Sequence, residues 1–121
     1  MTSIDNNIVK IVEVGPRDGL QNEKTPLTLE QRKALIVDLM QTGLSSIEVG
    51  SCVSAKWVPQ MANSDQLFAD LPQDPKIGFS LLTPNLKGFE SALAVGCQEV
   101  AVFTAASESF TRKNINCSID E

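Results

Sequence analysis

Four short apolar runs, three of them followed by a long polar loop, constrain the fold of this chain more than any other feature. They fall at residues 8–14 (Ile-Val-Lys-Ile-Val-Glu-Val), 46–49, 77–82 and 99–104, and helix-patterned stretches separate them. Strand starts roughly 25–35 residues apart, alternating with helices, are the signature of βα units on a parallel sheet. The first run is β-branched and nearly continuous, as expected of a parallel strand covered on both faces. The long stretches 16–27, 50–59 and 105–117 all follow strands, while the returns from helix to strand are short. Function is therefore expected on one face of the sheet, at the carboxyl ends of its strands.

The helices are punctuated in the sequence itself. Thr28 with Gln31 forms a capping box, Leu35, Ile36, Leu39 and Met40 recur at helical spacing, and Gly43 stands at the C-terminal cap, predicting a helix over 29–42. A second helix is expected over 60–71, with Leu67, Phe68 and Leu71 facing inward and Pro72 and Pro75 ending it. A third opens at Thr83-Pro84-Asn85, carries Leu86, Phe89 and Leu93 on one face and closes at Gly96. Gly43 and Gly96 each stand four residues before an apolar strand residue, Ile47 and Val100, a faint internal echo. Ser118-Ile119-Asp120-Glu121 is a further capping box, the first turn of a fourth helix. The expectation is an α/β chain in which residues 1–121 are the amino-terminal part of a single barrel domain. They would form roughly the first three and a half βα units, since eight such units need about 250 residues.

Composition excludes several roles. A net charge of −5 argues against a nucleic-acid surface, which needs a basic stripe, and no apolar run is long enough to span a membrane. The first seven residues have neither signal-peptide nor transit-peptide character, so a cytoplasmic chain is expected. Cys52, Cys97 and Cys117 are an odd, scattered set, read as reduced and inert thiols. Asn116-Cys117-Ser118 matches a glycosylation sequon by letter only. The chain has no histidine, and so lacks the usual proton shuttle near neutral pH.

The chemistry-bearing stretch is Glu13-Val14-Gly15-Pro16-Arg17-Asp18-Gly19-Leu20-Gln21-Asn22-Glu23, directly after the first strand. An arbitrary Arg-Asp-Gly is a surface ion pair or a turn aspartate. Here the pair lies at a strand end between glycines, with the amides of Gln21 and Asn22 close by. A carboxylate with amide oxygens suits a hard cation such as Mg²⁺ or Mn²⁺. Arg17 cannot be a base at neutral pH but can stabilise a developing enolate or alkoxide. Glu48, inside the second strand, is either a structural ion-pair partner or an active-site acid, and pairing with Arg17 from the adjacent strand is expected. Glu13 carries the same ambiguity. Lys56 and the sole tryptophan, Trp57, either line a pocket or pack their long loop down. Arg112, Lys113, Asn114 and Asn116 precede a helix start, where phosphate or amide groups of an extended ligand could dock, or belong to a solvated loop.

With these residues in view, the chain from about Val9 to Glu121 resembles the amino-terminal part of the hydroxymethylglutaryl-CoA lyases. The carriers are Val12-Glu13-Val14-Gly15-Pro16-Arg17-Asp18-Gly19-Leu20-Gln21-Asn22-Glu23-Lys24, Val53-Ser54-Ala55-Lys56-Trp57-Val58-Pro59-Gln60-Met61, Leu82-Thr83-Pro84-Asn85-Leu86-Lys87-Gly88, and the stretches around Ser107-Glu108 and Lys113-Asn114-Ile115-Asn116-Cys117-Ser118. The Arg-Asp-Gly-x-Gln core alone marks the wider metal-dependent aldolase-like barrel superfamily; the flanks narrow it. The resemblance implies a (β/α)₈ TIM barrel and retro-Claisen cleavage of 3-hydroxy-3-methylglutaryl-CoA to acetoacetate and acetyl-CoA. It implies Asp18 as a ligand of the divalent metal, Arg17 as the group polarising the thioester carbonyl, and Glu48 in support. Arg17, Gln21, Ser51 and Asn114 are expected to touch the acyl-CoA substrate, whose coenzyme A docks near Asn114. Such a chain would bind neither nucleic acid nor membrane and would form a homo-oligomer, its exposed sheet edges and apolar interior driving association. The family completes its metal shell with a His-x-His pair and an Asn, and uses a Cys on a late glycine-rich loop. None of these positions is matched here, so the 121 residues alone are expected to bind metal weakly and to lack activity. A condensing relative of the isopropylmalate- or homocitrate-synthase type is disfavoured by the Trp57 and Asn114 loops. A non-catalytic half-barrel that only assembles with itself or a partner is a separate alternative.

Overall fold

The computed structural model describes residues 8–103. Within them, strands β1 (Ser46–Ser51), β2 (Gly78–Leu82) and β3 (Glu99–Ala101) form one parallel sheet in that order. Glu13 extends it on the other side of β1. Its N–H donates to the Ser46 carbonyl at 3.0 Å and its carbonyl accepts from the Glu48 N–H at 2.9 Å. Strand order therefore follows chain order, and a helix stands in each connection: α1 (Leu29–Met40), α2 (Ser64–Asp70) and α3 (Leu86–Ala94). Crossovers of one hand in a sequential parallel order keep their helices on one face. That is part of a (β/α)₈ barrel; a doubly wound sheet would reverse its order.

The core lies between that face and the helices. Ile47 and Val49 of β1 and Phe79 and Leu81 of β2 pack with Ile36 of α1, Leu67 and Phe68 of α2 and Ala92 of α3. Phe68 and Phe79 meet edge-to-face, their ring centroids 6.4 Å apart. Strand alternation sends Ser46, Glu48 and Ser80 to the opposite face, where they are also buried. One side of the sheet is thus apolar, and the other carries these buried polar side chains beside Leu82.

The helix punctuation in the sequence is realised. Thr28 Oγ1 accepts from the Gln31 N–H at 3.1 Å and Gln31 Oε1 accepts from the Thr28 N–H at 2.9 Å, the reciprocal capping box that starts α1. Asn85 Oδ1 accepts from the Gly88 N–H at 2.8 Å and starts α3. Gly43 (φ +89°) and Gly96 (φ +80°) take left-handed conformations just past α1 and α3, which residues with a Cβ adopt only with strain.

Three expectations need correction, and one needs an addition. Residues 8–12 do not form a strand: only Glu13 pairs, and Ile8, Val9 and Ile11 stand exposed, because a neighbour on their other side is missing among the described residues. The helix expected over 60–71 is instead a 3₁₀ turn at Pro59–Met61 followed by α2, separated by Asn63 in a left-handed conformation (φ 58°). Leu86, Phe89 and Leu93 share one face of α3 as expected, and the addition is that this face is exposed while Gly88 and Ala92 make the buried side. Trp57 does not pack its loop down: it is 76% exposed, with Lys56 Nζ 5.5 Å from its ring centroid.

Candidate active site

The chain leaves Glu13 and enters a π-helical turn, Gly15–Gly19, at the carboxyl end of the sheet. The N–H groups of Arg17 and Asp18 both donate to the Val14 carbonyl, at 3.1 and 2.7 Å, and that of Leu20 reaches back to Gly15. Wide turns of this kind are rare and concentrate at functional sites. Buried Pro16 anchors the turn while Arg17 and Asp18 project from it.

Arg17 Nε donates to Glu48 Oε1 at 2.5 Å, the partnership anticipated from adjacent strands. Glu48 is buried on the polar face of β1, so a hydrogen-bonded cation relieves the cost of desolvating its charge. Arg17 Nη1 lies 3.4 Å from Asp18 Oδ1, and no described residue partners Nη2. The Asp18 side chain is 56% exposed and among the described residues carries only that loose contact, which leaves its carboxylate open to a ligand. Arg17, Asp18, Gln21, Glu48 and Ser51 line a concavity of about 550 Å³ together with Leu82, Pro84 and Phe103. Five of the site residues expected from sequence thus share one cavity. Asn114 lies outside the described residues.

These residues fit part of a hard-cation shell. Gln21 Oε1 is buried without a hydrogen-bond partner, an acceptor that a cation or a donor would satisfy. Together with the free carboxylate of Asp18 it offers oxygen ligands. Among the described residues no three His, Cys, Asp or Glu side chains cluster to hold a metal, so the shell is incomplete.

A second cavity, about 360 Å³, opens beside α3 and is lined by Cys52, Asp65, Asn85 and Lys87. Burial, then the charge of Asp65, pushes the Cys52 thiol from its ordinary 9.0 up to about 11, and Cys97 is raised chiefly by burial too. Neither thiol is poised as a nucleophile. At pH 8, Cys52 is expected to alkylate roughly a hundredfold more slowly folded than unfolded, with the folded rate rising tenfold per pH unit, measured by mass spectrometry with iodoacetamide. Because the folded value is the higher one, this contribution to stability is complete below about pH 9 and is lost as the pH rises through about 11.

The sequence reasoning missed Arg32, which is 2% exposed. It stands one turn before Ile36, so a cation within the apolar stripe of α1 was the available signal. It also missed that Ser64 starts α2 beneath the end of β1, a position signalled by Asn63-Ser64-Asp65, which reads as a helix start.

A parallel, sequentially ordered part-barrel with an Arg–Asp–Glu cluster at its carboxyl-end mouth defines a TIM-barrel type of fold with a charged strand-end site. The family model described as HMGL-like matches residues 8–121. This chain belongs to the HMGL-like family. It is 58% identical over 113 residues to the hydroxymethylglutaryl-CoA lyase of Pseudomonas mevalonii, covering 93% of this chain and 38% of that protein. The solved hydroxymethylglutaryl-CoA lyase of Pseudomonas aeruginosa superposes with a TM-score of 0.85 at 59% identity, over 93% of this chain and 37% of that one. An HMG-CoA lyase from Acinetobacter baumannii, solved with coenzyme A and 3-methylmalate, superposes with a TM-score of 0.90 at 32% identity, over 99% of this chain and 39% of that one. The chain thus spans less than two fifths of the length of these relatives.

Proposed function

We propose that residues 1–121 are the amino-terminal part of one (β/α)₈ catalytic domain, and that the domain is a carbon–carbon lyase cleaving 3-hydroxy-3-methylglutaryl-CoA to acetoacetate and acetyl-CoA. The observation that carries this reading is the clamp of Glu48 on Arg17 Nε. It fixes the guanidinium beside the free carboxylate of Asp18 in one cavity. Supporting it, the relatives bear that lyase's name and one was solved with coenzyme A.

The reaction removes the proton of the C3 hydroxyl, turns C3 into the ketone of acetoacetate and breaks the C2–C3 bond. The electron pair passes to C2 and the thioester oxygen as an enolate, and protonation of C2 gives acetyl-CoA. A divalent cation, Mg²⁺ or Mn²⁺, held by Asp18 with Gln21 nearby would acidify the hydroxyl it contacts. Arg17 faces the negative charge that gathers on the thioester oxygen, where a fixed cation in a cleft is worth most. Glu48 holds that guanidinium by one edge and leaves its other edge for substrate. Ser51 and Gln21 supply polar contacts in the same concavity, and Asn114 would meet the coenzyme A portion.

The reading extends to setting. A cytoplasmic compartment suits the free thiols of Cys52 and Cys97; relatives include lyases named cytoplasmic and mitochondrial. None of the described helices is long and apolar enough to cross a membrane. Self-association is supported by the exposed Ile8, Val9, Ile11 and Val102.

The test is an assay of this chain completed by the remaining βα units, with 3-hydroxy-3-methylglutaryl-CoA and Mg²⁺ or Mn²⁺. Equimolar acetoacetate and acetyl-CoA, lost on chelation, are expected. The 121 residues alone, with no histidine and one free site carboxylate, are expected to give only background release. Condensation in place of cleavage, or no reaction by the completed barrel, would refute the proposal.

A further inference from the structure

The buried cation of α1 has no carboxylate partner. Among the described residues Arg32 joins no ion pair, and its Nε has no hydrogen-bond partner although it is fully buried. Burial also lowers its pKa from the ordinary value. An uncompensated buried guanidinium is unfavourable, and an apolar side chain of similar size would fill the space at less cost. Its contacts indicate another use. Nη1 donates to the Ala62 carbonyl at 2.7 Å and Nη2 to Ser64 Oγ at 2.9 Å. Ser64 Oγ also accepts from the Ser51 N–H at 3.1 Å and donates to the Met61 carbonyl at 2.7 Å, so the hydroxyl is saturated.

Ser51 is the point of interest. It lies three positions after Glu48, and in a regular strand that odd spacing puts two side chains on opposite faces. The register shows why they share one. Glu48 lies opposite Ser80, Gly50 opposite Leu81 and Ser51 opposite Leu82, so Val49 is an extra residue and β1 carries a bulge. Ser80 and Leu82 alternate onto one face of β2, and their partners Glu48 and Ser51 follow them. Both line the 550 Å³ concavity. The bulge runs directly over the Arg32 and Ser64 contact: a Cβ on Gly50 would lie 2.5 Å from Ser64 Oγ and 3.3 Å from Arg32 Nη2.

We propose that Arg32 is a positioning residue of the site: acting through Ser64, it holds the bulge in β1 that turns Ser51 onto the face of Glu48. Arg32 itself touches no reacting atom. The inference rests on the lyase reading for the role of Ser51, but the clamp can be measured without it.

Two experiments on the completed barrel test it. In the first, Arg32→Met, Ser51→Ala and the double variant form a cycle read as kcat/KM for the acyl-CoA. Arg32→Met is expected to lower kcat/KM by about tenfold in the parent, and by less than about twofold once Ser51 is alanine, because the two act through one contact. Equal losses in both backgrounds, or no loss in the parent, would overturn the proposal. In the second, hydrogen exchange at the Ser51 amide is followed in the parent, Ser64→Ala and Arg32→Met proteins. Faster exchange at Ser51 in both variants, with core amides such as Ile47 still protected, is expected; unchanged Ser51 protection would overturn the clamp. If the parent barrel fails to break the C2–C3 bond of the acyl-CoA, the lyase reading falls and the amide exchange alone decides.

Discussion

Arg17→Gln in the completed barrel is expected to lower kcat by about a hundredfold to a thousandfold, the range seen when one fixed donor to a developing oxyanion is removed. Glutamine can still donate to Glu48, so the buried carboxylate keeps a partner and the fold should survive, as circular dichroism would show. What disappears is the charge, and with it the second edge of the guanidinium that the Glu48 clamp leaves free. Arg17→Lys should rescue little, since an ammonium is a point charge and cannot hold Glu48 by one edge while presenting another to substrate. Near-parent kcat in Arg17→Gln would remove Arg17 from the chemistry.

Asp18→Asn has the second large expected effect, with a different signature. The Asp18 side chain is 56% exposed with one loose contact, so stability should change little. Loss of the only free carboxylate in the described cavity should weaken Mn²⁺ affinity by about a hundredfold or more, measured by calorimetry, and kcat should fall with it. Arg17→Gln, which removes a positive charge 3.4 Å from the Asp18 carboxylate, should leave Mn²⁺ affinity unweakened. Two neighbouring residues would then separate into one that binds the cation and one that receives the charge of the reaction. Unchanged metal affinity in Asp18→Asn would reassign the carboxylate.

Local signals carried much of this fold. Thr28 and Gln31 announce a helix start because both halves of the capping box are written in the chain, and Gly43 and Gly96 announce helix ends because few other residues accept a left-handed conformation without strain. The pairing of Arg17 with Glu48 was legible too, as a strand-end cation and a strand-buried acid on neighbouring strands. What stayed hidden depends on contacts distant in sequence. Apolar pattern alone made residues 8–14 a strand, but a strand needs partners, and past Glu13 the described residues provide none on the outer side. Leu86, Phe89 and Leu93 have the spacing of a buried stripe, yet the side of α3 that meets the sheet is the one with Gly88 and Ala92, where small residues allow close approach. The bulge at Val49 leaves no mark in composition. It follows from Gly50, where a Cβ would collide with Ser64, and from Ser64 and Arg32 beneath it, 13 and 19 positions in sequence from the strand end Ser51 that they hold.

Hydrogen exchange at the methyl group of acetyl-CoA tests most directly whether the Arg17, Asp18 and Glu48 cluster stabilises a thioester enolate. Acetyl-CoA is incubated in D₂O with the completed barrel and Mg²⁺, and deuterium uptake is followed by NMR. Uptake above background by the parent, falling by about a hundredfold or more in Arg17→Gln, is the expected result. Uptake at the parent rate in Arg17→Gln would contradict it.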